Sequence, residues 1–262
     1  MDLSNLWLVS GVSLAVLMIA QVVMWVIGRR IGKVAVVDVI WGLGFVLVAV
    51  VALLVGEGDL TRRVVLAVLT GAWGLRLSWH IFTRSKGKGE DPRYEEMLQD
   101  SGPARTFLKV FALQGALQWF VSLPVQVSAA SDATTGGWWM VLVAGGLLWA
   151  LGLTFEAVGD AQLAAFKADA DNKGKVMDRG LWSWTRHPNY FGDSAVWWGL
   201  FLIAASSWPG VLTVASPVVM TYFLVWGTGA KLLEKSMAQR PGYPEYQQRT
   251  SYFLPLPPKS GR

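Results

Sequence analysis

The sequence contains no cysteine and only two histidines, His80 and His187. Without a thiol there can be no disulfide, no thiolate nucleophile, and no cysteine-held zinc or iron–sulfur cluster. Two histidines also argue against a histidine-rich metal site, so no metal is expected. Charge is scarce as well: Asp, Glu, Lys and Arg make up 16% of the 262 residues, against about 25% in ordinary globular chains. That shortage excludes a disordered chain, a coiled coil or a typical soluble domain. What fills the space is apolar: 53% hydrophobic residues with 15 tryptophans and a mean hydropathy of +0.40. The net charge of +5 would point to nucleic acid in a soluble protein. In an apolar chain it has to be read loop by loop against a membrane, and no nucleic-acid partner is expected.

A spanning helix needs about 20 mostly apolar residues. Five clear segments satisfy this, 6–28, 36–56, 64–83, 106–128 and 138–158, and a close pair follows at 190–208 and 211–230. The pair is divided by Ser206-Ser207-Trp208-Pro209-Gly210, which reads as a tight re-entry turn because proline cannot continue a helix and glycine permits reversal. The expectation is an all-α bundle of about seven transmembrane helices, one membrane domain over 1–262. Segment 6–28 reads as a retained helix and not a signal peptide, since Arg29-Arg30 follow the apolar run and no cationic stretch precedes it. Alternate loops hold most of the cations, among them Arg29, Arg30, Lys33, Arg84, Lys86, Lys88, Arg93, Lys167, Lys173, Arg179 and Arg186, while 129–137 holds none. The positive-inside rule then sets the N-terminus outside and the tail in the cytoplasm, in a bacterial inner membrane.

Ionisable groups within such helices cost about 2.5–3.5 kcal/mol each on insertion scales. Asp38 stands at the start of the second span, and Arg76 and His80 lie one turn apart on the third. Gln114 and Gln118 share a face of the fourth, as do Glu156 and Asp160 at the end of the fifth. These residues either glue helices together or line one polar cavity. The long polar loops 84–105 and 159–189 are places where a water-soluble cofactor could be held.

The densest chemistry lies in Asp178-Arg179-Gly180-Leu181-Trp182-Ser183-Trp184-Thr185-Arg186-His187-Pro188-Asn189-Tyr190-Phe191-Gly192-Asp193. Arg186 and Lys167 are phosphate-binding cations, Trp182 and Tyr190 offer flat faces, and Asn189 offers donor and acceptor to an amide or ribose. An interfacial aromatic belt accounts for Trp and Tyr, but not for the order Arg-His-Pro-Asn-Tyr.

That stretch, together with Gly180-Leu181-Trp182, the tail Glu234…Tyr243-Pro244-Glu245-Tyr246…Pro255, Asp38…Trp41-Gly42 and Glu90-Asp91-Pro92-Arg93-Tyr94, resembles the membrane-embedded steroid 5-alpha-reductase and sterol delta-14-reductase superfamily, in its bacterial branch. The resemblance is densest over 156–255. It implies NADPH bound among the last helices, with cofactor contacts at Arg84, Glu156, Asp160, Lys167, Trp182, Arg186, His187, Asn189, Tyr190, Asp193, Glu234 and Tyr243. It also implies a lipid or steroid-like substrate whose carbon–carbon double bond is reduced, with Asp38, Arg76 and His80 as the catalytic candidates. One departure stands out: the steroid reductases pair an acidic residue with a tyrosine, and Trp73 occupies the aligned tyrosine position. An indole cannot act as a general acid, so His80, Asp38 or an unaligned tyrosine becomes the candidate proton source. A related family, the isoprenylcysteine-type carboxyl methyltransferases, shares Arg-His-Pro-x-Tyr-x-Gly and binds S-adenosylmethionine. The alternatives are therefore a membrane methyltransferase or a non-catalytic lipid-binding protein of the same fold, and a separate redox partner remains open.

Overall fold

The computed structural model describes residues 1–98 and 101–258. Among them every regular element is helical, the exception being one isolated bridge between Thr185 and Ser251. Contacts gather into two compact units, residues 1–142 with 200–216, and residues 143–199 with 217–262.

The first unit contains α1 (Leu3–Ile31), α2 (Ile40–Val55), α3 (Leu60–Ser85), α4 (Pro92–Leu98), α5 (Pro103–Thr106), α6 (Leu113–Val121) and α7 (Leu123–Ala129). Asp2 starts α1 by accepting hydrogen bonds from the Ser4 and Asn5 amides at 2.8 and 3.1 Å. Gly32 ends it in the left-handed conformation, φ 68°, which a side chain would resist. Helices α2 and α3 meet backbone to backbone, because a Cβ on Gly42 would stand 2.2 Å from the Gly74 carbonyl oxygen. Such close approach is how small residues bind membrane helices together. Apolar side chains of α1, α2 and α7, among them Leu17, Val48 and Val125, form one core cluster. The glutamines divide in role. Gln118 is fully buried, accepts from Gln21 Nε2 at 2.8 Å and donates to the Trp41 carbonyl at 2.7 Å, so it does glue helices. Arg62 is buried too, donating to Thr134 Oγ1 and to the carbonyls of Ser131 and Asp132 at 2.8–3.1 Å.

The second unit is built on α8 (Trp138–Ala168), α9 (Pro188–Ala205), α10 (Ala215–Tyr222), α11 (Ala230–Met237) and α12 (Tyr243–Arg249), with the first residues of α8, the last of α9 and the first two of α10 belonging to the first unit. Here again glycine decides the packing: a Cβ on Gly152 would lie 2.6 Å from the Gly192 carbonyl oxygen. The resulting contact sets the polar turn of α8 that carries Glu156 and Asp160 beside the start of α9.

Among the described residues five helices are long and apolar enough to cross a membrane, Leu3–Ile31, Val34–Val55, Leu60–Ser85, Trp138–Ala168 and Gly210–Met237. The pair Pro103–Val121 and Leu123–Ala129, bent by 52°, makes a sixth if it is one span. The chain is thus an all-α, polytopic integral membrane protein, with one expected span not matched. At 190–208 the helix α9 has 18 residues, but its first six, Pro188–Asp193, are largely the polar motif, which leaves too short an apolar stretch.

Candidate functional site

In the second unit, the motif loop is pinned before it can serve as a site. Gly180 takes φ 58°, and a Cβ there would strike the Gln162 side chain at 2.5 Å. Gln162 accepts the Leu181 amide at 3.0 Å, and Trp182 donates its indole N–H to the Gly159 carbonyl at 2.9 Å. The tail closes over the other side. Tyr246 donates to the Trp182 carbonyl at 2.6 Å, the Arg186 amide donates to the Ser251 carbonyl at 2.9 Å, and the Leu256 amide donates to the Trp184 carbonyl at 3.0 Å.

The centre of this closure is Glu234. Its carboxylate accepts from Arg186 Nε at 2.8 Å and Nη2 at 3.3 Å, from His187 Nε2 at 3.0 Å, from the Tyr243 hydroxyl at 2.9 Å, and from Gln247. Arg186 Nη1 donates to the Gln247 and Thr250 carbonyls at 3.0 and 2.7 Å, and the guanidinium lies 5.3 Å over the Tyr252 ring. Burial, and after it the charge of Glu234, pushes the Tyr243 hydroxyl well above the ordinary tyrosine range. Arg186, His187, Glu234 and Tyr243 are therefore brought together as expected, but the bonds they make run to one another and to the tail.

The remaining expected residues of this unit sit along α8 and α9. Asn189 donates to Asp160 Oδ1 at 3.2 Å and accepts the Tyr190 amide at 3.1 Å. Tyr190 stacks on His187 with ring centroids 5.7 Å apart. Glu156, Asp160 and Asp193 are all buried, whereas Lys167 is exposed in the last turn of α8. Beside them lies a cavity of about 330 Å³ lined by Gln162, Phe166, Asn172, Met177 and Arg179, where the Arg179 guanidinium stands 6.0 Å from the Phe166 ring centroid. Phe166, Asn172 and Arg179 were not singled out for a site from the sequence. The flat ring and the cation are separated by 13 positions, and only the turn at 169–174 joins them.

In the first unit, Asp38 closes a 3-10 turn, Val34–Asp38, that leads into α2. Glu90 holds the turn from outside it, its carboxylate accepting the amides of Val34 and, at 2.9 Å, Ala35. Asp38 accepts from the Tyr94 hydroxyl at 2.6 Å, and Gln114 Nε2 donates to that same phenol oxygen at 3.1 Å. Arg93 Nη2 stands 3.5 Å from the other Asp38 oxygen while binding Asp91 at 2.8 Å. Tyr94 is buried among Ile40, Val110 and Phe111. Burial first, and the Asp38 charge next, push its hydroxyl well above the ordinary range, so it holds its proton. Asp91 is held below the carboxylate range chiefly by its hydrogen bond to Arg93.

The partners of Asp38 are thus Tyr94 and Arg93, and not Arg76 or His80. Those two stand half-buried one turn apart on α3, and Arg84 is exposed one turn further on. Trp73 is fully buried against Phe45, with ring centroids 5.6 Å apart, and plays the part of a core aromatic. The sequence marks residues 90–94 as a stretch, and only the structure gives Tyr94 a partner in Asp38. The sign was present: Asp91-Pro92 is a helix start, with Asp91 Oδ1 accepting the Arg93 amide at 2.9 Å. That start places Tyr94 on a helix and not in a free loop. Among the described residues no group of three His, Cys, Asp or Glu side chains is arranged to hold a metal ion.

No curated protein and no solved structure matches the chain. A family profile does match, over residues 24–250, under the description "Protein of unknown function (DUF1295)". The match takes in both the Asp38–Tyr94 pair and the Glu234 cluster, and over that extent the chain belongs to the DUF1295 family.

Proposed function

We propose that this protein is a membrane-embedded, steroid-reductase-like oxidoreductase that uses NADPH to reduce a carbon–carbon double bond in a lipid, steroid-like, isoprenoid or acyl. The observation that carries the reading is the Asp38–Tyr94–Gln114 group. Reduction of an alkene consumes a hydride and a proton, and the proton needs a donor kept dry and protonated. Tyr94 meets that need: its phenol is buried and donates its hydrogen bond to Asp38, O···O 2.6 Å. Gln114 fills a lone pair of the phenol oxygen, which fixes the ring without taking its proton. The Tyr94–Asp38 pair holds an exchangeable proton that either oxygen could present to a polar group conjugated with the double bond. Methyl transfer to a lipid has no use for such a donor.

NADPH, when bound, supplies the hydride. The polar groups of the second unit fit it. Asn189 with Asp160 offers donors and acceptors for a carboxamide or a ribose. Phe166, Asn172 and Arg179 offer a flat face, an amide and a cation for a phosphorylated adenosine end, and Lys167 adds a second cation. Arg186, His187, Glu234 and Tyr243 support this reading as the frame that holds the loop at 182–189 still, and not as phosphate ligands. That commitment of Arg186 to Glu234 is also what keeps the second reading, an S-adenosylmethionine-dependent methyltransferase, in play, since that cofactor carries no phosphate.

The test is a separate titration of the detergent-purified protein with NADPH and S-adenosylmethionine, read as thermal stability. A ligand at 100 times its dissociation constant stabilises by about 2.7 kcal/mol. Stabilisation by NADPH alone, lost in Asn189→Ala, is the expected result. Stabilisation by S-adenosylmethionine alone overturns the reductase.

A further inference from the structure

Where α1 ends, the first unit holds a cavity of about 230 Å³ whose walls are mostly carbon, with Trp25, Val34 and Phe111 among its lining. Arg29 and Lys33 are also among its lining residues, as are the hydroxyl residues Ser101 and Thr106. The Arg29 guanidinium is 5.4 Å over the Trp25 ring, which ties its charge to an aromatic residue of the same lining. Lys33 Nζ reaches the carbonyls of Lys88 and Ser85 at 3.2 and 3.4 Å, and both acceptors are neutral. Among the described residues neither cation forms an ion pair with a carboxylate. Gly32, also in the lining, takes φ 68° with open space where a Cβ would be.

Each feature alone is ordinary, but the combination selects an occupant. A small soluble anion would use the cations and leave the aromatic walls bare. A neutral acyl chain would cover the walls and leave two cations unmatched. The site lies at the end of an apolar helix long enough to span a bilayer, the depth at which glycerol esters and phosphates are found. The geometry points to a binding site for an anionic phospholipid, its phosphate between Arg29 and Lys33 and its glycerol and first methylenes against Trp25, Val34 and Phe111. The cavity is too small for a whole lipid, so the acyl chains run outside it. The site shares no residue with the Asp38–Tyr94 group and does not depend on the proposed reaction.

The test is native mass spectrometry of the full-length protein in detergent, with phosphatidylglycerol, phosphatidylcholine and inorganic phosphate as separate probes. Phosphatidylglycerol should be retained in preference to the zwitterionic lipid, and inorganic phosphate should not displace it. Arg29→Gln with Lys33→Gln should weaken its binding roughly 30-fold, while Arg30→Gln, next in sequence but outside the lining, should change it by no more than about fivefold. Thr106→Phe, which fills the cavity and leaves the charges in place, should also weaken it, and it decides the matter if the double variant does not fold. Equal retention of the two lipids, an equal loss in Arg30→Gln, or undiminished binding in Thr106→Phe overturns the assignment. Displacement by inorganic phosphate overturns it too, in favour of a free-phosphate site.

Discussion

Two carboxylates, Glu234 and Asp38, each stand at the centre of a polar group, and they are used in opposite ways. Glu234 is saturated: Arg186, His187, Tyr243 and Gln247 all bond to it, and Arg186 is held in turn by two carbonyls of the tail. Asp38 has one short bond, from Tyr94, and a longer contact with Arg93, whose main partner is Asp91. A fully satisfied network rigidifies what surrounds it. A carboxylate whose single short partner is a buried, protonated phenol keeps capacity to exchange a proton. Glu234 therefore reads as the fastening of a frame, and Asp38 with Tyr94 as the place where chemistry can happen.

The largest effect that separates the two is expected at Tyr94. Tyr94→Phe removes one oxygen from a buried ring and should lower alkene reduction by about 10² to 10⁴-fold. Its stability should fall by about 1.5–3 kcal/mol, since Asp38 and Gln114 each lose a partner, measured as the midpoint of detergent-resistant thermal unfolding. A large loss of stability with little loss of rate would reverse the assignment of roles. Glu234→Ala should do the opposite. It leaves Arg186 largely buried without its counter-charge and should destabilise the fold by about 3–5 kcal/mol, with the tail more open to protease. If the variant is as stable as the parent, the Glu234 cluster is not a frame.

The smallest effect is one of pH. The hydroxyls of Tyr94, Tyr243 and Tyr246 are all raised above the ordinary tyrosine value by burial. A raised value means that the unfolded chain releases these protons first. Stability from this source is fully present below about pH 10 and falls as pH rises beyond it. An unfolding series between neutral pH and pH 11 should show that alkaline decline, shallower in Tyr94→Phe. An equal decline in the variant would mean that Tyr94 ionises as freely in the fold as outside it.

Much of the site was legible in the chain. Glu234 lies 48 positions from Arg186, yet the Arg-His-Pro-Asn-Tyr order and the tail motif marked the two regions together, and the structure brings Arg186, His187 and Glu234 into contact. Their bonding was not legible. A guanidinium beside a polar loop reads equally as a phosphate ligand or as half of an ion pair, and the choice depends on whether a carboxylate arrives from 48 positions away. Tyr94 shows the same limit from the other side. Asp38 attracted notice because a charge at a membrane depth is expensive, whereas a tyrosine in a polar loop is ordinary until a helix start at Asp91-Pro92 turns it inward.

Apolar runs of spanning length and the scarcity of charge determined by themselves that this is a helical membrane protein, because hydrocarbon forces the backbone to satisfy its own hydrogen bonds within each helix. The motif at 178–193 marked one of its two polar groups, the one gathered on Glu234. Only the tertiary structure decided which of those polar groups bond to each other and which keep their capacity. A side chain's partners are set by contacts across dozens of residues, and local sequence does not encode those distances.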